Sequence, residues 1–176
     1  MYTRLGATAL SLVLMVGGIA IGFQTDLASA IVLDRNGIAQ ESWGAVFLGV
    51  IISNGPALCL VYGGVLSGGL LTLIAWPIIS IYIGSTMRTG INIMGVEGVA
   101  GAIWAYAPVE FVALALAAAA GMMPVAAAVW ASLSTGGSNR PLRAYLNEFP
   151  HTLRFFGIAV VTLLAAAAIE AFVITN

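Results

Sequence analysis

Long apolar runs almost free of charge constrain this chain more than any other feature. They fall at about Leu5–Phe23, Trp43–Tyr62, Leu70–Met87, Trp104–Leu133 and Arg154–Ile174. Crossing the hydrocarbon of a bilayer takes roughly 20 apolar residues in a helix. At that depth backbone amides find no water, so only helices and closed barrels can span. Composition agrees: 61% of the 176 residues are hydrophobic and 7% are charged, against about 25% charged in an ordinary soluble domain. The expected fold is therefore all-α: one transmembrane domain over Met1–Asn176, a polytopic membrane helix bundle of about five transmembrane helices.

The polar and glycine-rich breaks set the boundaries. The stretch YGGVLSGG reads either as a tight hairpin or as part of one helix. Pro56, Pro77, Pro108 and Pro124 break or kink local helical ladders, which lipid tolerates only where neighbouring protein satisfies the freed carbonyls. At the N-terminus a basic start, an apolar stretch and Ala28-Ser29-Ala30 raise a signal peptide as an alternative. The apolar segment is longer than the roughly 7 to 15 residues of a signal core, so it reads as a permanent span. With a cytoplasmic N-terminus, five crossings leave Arg4, Arg140, Arg143 and Arg154 inside and Arg35 and Arg88 outside, in keeping with the positive-inside tendency. Trp43, Tyr62, Trp104, Tyr106 and Trp130 then lie near span ends, where interfacial aromatics belong.

Charge and cysteine usage exclude several function classes. The net charge is −1 and no lysine occurs, so there is no electrostatic footprint for nucleic acid. Cys59 is the single cysteine and stands in an apolar run, which leaves no disulfide framework within one chain and reads as a small core residue. Two acids are conspicuous against this background. Glu110 lies roughly 9 Å below the outer start of the fourth run and Glu170 roughly 6 Å below the outer end of the fifth, at 1.5 Å per residue. Both fall on one side at similar depth. Arg88, at the outer end of the third run, is placed to snorkel toward them. An ionisable group within the membrane costs on the order of 3 kcal/mol on the insertion scale, so it tends to face protein or a wet cavity and marks a functional site. The alternative is that both acids reach the interface or lock helices together by hydrogen bonds. No nucleophile or metal cluster accompanies them, so no catalysis, cofactor or metal is expected.

Asn54, in IISNGPALCL, lies near mid-membrane and either seeks an interhelical partner or caps a break at Gly55-Pro56, the cap being favoured. The pairs Gly18 with Gly22 and Gly64 with Gly68, and the series Ala113, Ala117, Gly121, fit close helix packing within the chain in preference to an oligomer interface. His151 reads as a surface histidine in a cytoplasmic loop. In SNRPLRAYLNEFPHTLR, Asn139 can cap, Pro141 suits a first turn, and Leu142, Tyr145, Leu146 and Phe149 recur on one helical face. Together with Arg143 they form a short amphipathic interfacial helix before the last span. Its ordinary role is anchoring, and its sharper one is docking a cytoplasmic partner such as an ATPase. DLASAIVL reads as a weaker surface-lying patch.

The motifs YAPVEFVALALAAAAGM, NGPALCLVYGGVLSGG and LLAAAAIEAFVITN together resemble the stage II sporulation protein M family of integral membrane proteins. That family tends to show His-Gly-x-x-Glu at the start of its fourth span. The matching positions here read Tyr106-Ala107-Pro108-Val109-Glu110, so the acid is present and the histidine is not. The resemblance implies that Glu110, Asn54, Glu170 and the terminal IEAF correspond to family positions. It also implies a role assisting a cell-wall-degrading complex, and the wider family has been likened to transporter permeases. The expected protein is thus a non-catalytic integral membrane subunit or scaffold of a larger envelope-associated complex in the prokaryotic cytoplasmic membrane, with membrane lipid and protein partners or further copies of itself around it. The alternative is a permease subunit or small transporter working with a cytoplasmic ATPase. A scaffold predicts a bundle packed shut around paired acids; a permease predicts a hydrated cavity reaching them.

Overall fold

The computed structural model describes residues 2–25, 42–134 and 140–175, and their regular structure is helical throughout. Six helices follow one another: α1 (Tyr2–Phe23), α2 (Trp43–Tyr62), α3 (Leu70–Ile103), α4 (Ala107–Ser134), the short α5 (Pro141–Asn147) and α6 (Phe149–Thr175). Five of them, α6 with α5 leading into it, are long and apolar enough to cross a membrane. DLASAIVL, Ala28-Ser29-Ala30, Arg35 and Asn139 lie outside the described residues.

Helix α4 is the axis of the bundle. Its most apolar stretch is 61% buried, against 22 to 33% for the other four spans. The sequence explains this: Ala113, Ala117, Ala118, Ala119, Ala120 and Gly121 give α4 a surface of small side chains, so neighbours approach closely on several sides. Leu58 and Val61 of α2, Trp76 of α3, and Ala159 and Leu163 of α6 pack with Ala113–Ala118 in one core.

Paired contacts fix the directions. Trp76 Nε1 donates to the Ser11 carbonyl at 2.9 Å, and Gly84 lies against the backbone of Ile19 and Phe23, so α1 and α3 run parallel. Asn54 meets Glu110, and Val61 meets Gly121, so α2 and α4 run parallel to each other. Ser11 Oγ donates to the Ala115 carbonyl at 2.8 Å, while Ala7 packs with Met122, so α1 and α4 are antiparallel. One end of the bundle, here the near end, therefore carries Arg4, the α2–α3 turn and α5. The far end carries Phe23, Trp43, Tyr106 and the end of α6.

YGGVLSGG is the hairpin of the two alternatives. A single 3-10 turn at Gly63–Val65 leads to Gly68 and Gly69, both with positive φ (64° and 86°), a conformation that costs glycine little. The third helix is longer than the run Leu70–Met87 predicts, because RTGINIMGVEGVAGAI beyond it is also helical. It is broken at Gly95 (φ 73°, ψ 169°), so Leu70–Met94 and Val96–Ile103 are separate helical pieces. Helices α2, α3 and α4 continue past Pro56, Pro77 and Pro124, and Pro108 sits in the first turn of α4, where its missing N–H costs nothing.

Three smaller expectations are corrected. Cys59 is exposed on the outside of α2 and is not a core residue. His151 is half-buried in the first turn of α6, not in a loop, because Pro150 is accommodated at a helix start. The N-cap of α5 is Arg140, without a side-chain cap, while Pro141 does open the helix.

At the near end Arg4 Nε donates to Glu148 Oε2 at 3.0 Å, tying the start of α1 to the corner between α5 and α6. The glycine pair on α1 brings its backbone onto α3: a Cβ at Gly22 would collide with the Ile81 backbone, whereas one at Gly17 would meet nothing. We expect Gly22→Ala to cost roughly 1–3 kcal/mol through overpacking, read as a lowered thermal unfolding midpoint in detergent, and Gly17→Ala to leave the midpoint unchanged. Equal effects at the two sites would refute this helix contact.

Candidate functional site

At the far end α2, α4 and α6 part to leave a cavity of about 390 Å³. One wall is α2 from Ala45 through Gly49 to Asn54; Tyr106 and Glu110 line it from the start of α4, and Glu170 and Ile174 from the end of α6. Small side chains at a four-residue spacing, Ala45, Gly49 and Ser53, turn one stripe of α2 into an open wall.

Registration of α2 against α4 explains why the cavity exists. From Asn54 to Val61, α2 rises about 10 Å, while from Glu110 to Gly121, α4 rises about 16 Å. The Glu110 backbone therefore stands about 6 Å nearer the far end than that of Asn54, and its side chain reaches inward. Asn54 Nδ2 donates to Glu110 Oε1 at 3.0 Å. Glu110 and Glu170 line the same cavity as neighbours, and their carboxyls interact. Both acids are only partly buried, with the cavity in front of them.

Toward the near end the same interface is shut. The rings of Tyr62 and Phe156 stack at 4.0 Å, and the Tyr62 hydroxyl lies 3.3 Å from Thr152 Oγ1. Leu58, Ala113 and Leu163 fill the space between that seal and the acids. The cavity thus lies at the far end of the bundle and stops near its middle.

Of the predicted polar cluster, the structure brings together Glu110, Glu170 and Asn54. Arg88 is placed elsewhere: its Nη1 donates to the Phe23 carbonyl at 3.3 Å, and it does not line the cavity. The reason is the parallel packing of α3 on α1, which sets Arg88 beside the C-terminus of α1, where a cation satisfies a terminal carbonyl and opposes the helix dipole. Asn54 does not cap a break, since α2 is continuous through Gly55 and Pro56, and its amide serves the interhelical bond instead. Tyr106 and Ser53 escaped the sequence reading as site residues; the Ala45, Gly49, Ser53 stripe was the available signal.

The predicted docking face on α5 divides in two. Tyr145 turns inward, its hydroxyl donating to the Val65 carbonyl and its ring packing at 5.8 Å against Phe149. Leu142 and Leu146 face outward, with exposures of 69% and 54%, and Arg143 is exposed beside them.

Comparison with protein-family models, curated proteins and solved structures finds no match for this chain.

The Asn54–Glu110 bond can be measured as a coupling. Asn54→Leu and Glu110→Leu should each lower stability, because each leaves a polar partner without its bond. The double variant should be more stable than the sum of the two losses by about 0.6–1.7 kcal/mol, the range for interhelical hydrogen bonds in membranes. Strict additivity in thermal unfolding would mean that the bond contributes nothing to the fold.

Proposed function

We propose that this protein is a small multi-pass permease, or the permease subunit of one, that takes a proton or a small cationic solute at Glu110 and Glu170. One observation carries the reading: an open cavity at the far end reaches two adjoining carboxyls and is sealed below them by Leu58, Leu163 and the Tyr62–Phe156 stack. A site open to one side and closed to the other is what alternating access requires of a binding site within a bundle. Two neighbouring carboxyls need a proton between them to bond, or a cation to neutralise them. Binding and release at such a pair is therefore charge exchange.

Orientation follows from the arginines. Arg4, Arg140, Arg143 and Arg154 all belong to the near end, so that end is cytoplasmic by the positive-inside tendency. The cavity then opens outward across a prokaryotic cytoplasmic membrane, and α5 lies at the inner interface. In a variant with Cys59 replaced by alanine, Ser42→Cys should react with an impermeant maleimide in intact cells and Leu142→Cys only after permeabilisation. The reverse pattern would invert the assignment.

Flux tests the function itself. In vesicles containing the purified chain and an internal pH-sensitive dye, an imposed pH gradient should collapse faster than in empty vesicles. Glu110→Gln and Glu170→Gln should each slow that collapse at least tenfold while keeping the elution profile of the parent. Identical rates for parent, variants and empty vesicles would dispose of the proton reading, and the same vesicles loaded with a small amine then test the cation.

A second reading, a non-catalytic subunit or scaffold of an envelope complex as implied by the resemblance to the stage II sporulation protein M family, draws on the outward Leu142 and Leu146 of α5. Copurification from native membranes separates the two: envelope hydrolase components favour the scaffold, and an ATPase favours the permease.

A further inference from the structure

The near end is strongly one-sided in charge. Among the described residues its only acid is Glu148, which is engaged by Arg4. That leaves Arg140, Arg143 and Arg154, all exposed, with no described acid paired to them. Among the described residues the far end has the opposite bias, with Glu97, Glu110 and Glu170 against Arg88. Apolar groups stand among the near-end cations: Leu142 and Leu146 on α5, and Leu153 beside Arg154 on α6, the last 60% exposed. Helix α5 cannot turn these residues inward, because it is clamped on its other side by Tyr145 to the Val65 carbonyl and by Glu148 to Arg4.

We propose that this surface, α5 with the first turns of α6, is a docking site for anionic phospholipid. Guanidinium forks pair with phosphate oxygens, and the leucines between them enter the acyl boundary, a combination that a headgroup layer satisfies and a dissolved anion does not. The Arg4–Glu148 pair has a defined part. By neutralising the one described acid at this end it leaves the arginines to set the field, and by fixing the α5–α6 corner it holds Arg143 and Arg154 at the level where the spans begin. Such a contact is an interaction surface separate from the cavity, and it stands whether or not the chain transports anything.

Lipid retention measured by native mass spectrometry tests it. The purified full chain is equilibrated in detergent with equal amounts of phosphatidylglycerol and phosphatidylcholine of the same acyl composition. The parent should retain phosphatidylglycerol preferentially. Arg143→Gln with Arg154→Gln should reduce that preference roughly fivefold per arginine removed, and Arg140→Gln alone should reduce it about fivefold. Arg88→Gln, at the other end, should leave it unchanged. Equal retention of the two lipids by the parent, an unchanged preference in the near-end variants, or an equal loss in Arg88→Gln would each overturn the proposal.

Discussion

Every polar group that leaves water in this bundle has to find its partner within the chain, and that requirement organises the structure around α4. Ser11 Oγ donates to the Ala115 carbonyl of α4, and the carbonyl of the same Ser11 accepts Trp76 Nε1 from α3. Three helices are thereby joined at two oxygens of one buried residue. The geometry is possible only because α4 presents alanines there; a larger side chain at Ala115 or Ala118 would hold α1 away and leave the serine hydroxyl without a bond. Thr72 repeats the device one level down, donating to the Val61 carbonyl beside Gly121. In lipid, where apolar burial gives helices little reason to associate, such bonds and close backbone approach are the main sources of specificity.

The same economy makes the bundle asymmetric along its length. Near the middle and at the near end, interfaces are filled by alanine, leucine and stacked rings, and polar atoms are bonded locally. At the far end α2 has small residues on the stripe facing α6, and α4 begins lower than α2 does. Space opens because the helices are out of register there, not because packing fails. A cavity produced by register can be closed by a small slide of one helix along another, the shear type of motion that packed helices allow.

Much of this architecture was legible in the sequence, and the failures share one cause. Apolar length located α2 at Trp43–Tyr62, and residue counting put Glu110 and Glu170 at one level, because rise per residue converts sequence into depth. Depth says nothing about azimuth. Arg88 has the right depth to meet the acids, yet α3 packs on α1 and carries it to the end of α1, away from the cavity lining. Asn54 was ambiguous for the same reason: whether an amide caps its own helix or crosses to another depends on which face α4 occupies. Gly95 concealed a different error. The residues after Arg88 are apolar enough to continue a helix, and only the backbone shows that the continuation changes direction at that glycine. Tyr145 and Phe149 shared a predicted face with Leu142 and Leu146, but a stripe wide enough to hold all four is wide enough to be split between bundle and surroundings.

The two acids remain the feature that packing economy does not account for. In its core the chain joins helices with hydroxyls and an indole, which cost little to insert; Ser11, Thr72 and Trp76 suffice for the most buried contacts. A carboxylate within the membrane costs on the order of 3 kcal/mol, and the bond from Asn54 uses one N–H, for which a neutral acceptor such as glutamine would serve. Glu170 adds a second carboxyl beside the first. As a helix lock this arrangement is redundant and expensive. For the proposed binding and release of positive charge the site has two neighbouring carboxyls, an amide holding one of them in place, an open cavity in front and a hydrophobic stop below. The cost of keeping two acids beside an open cavity is thus the physical ground for the proposed exchange with the solution.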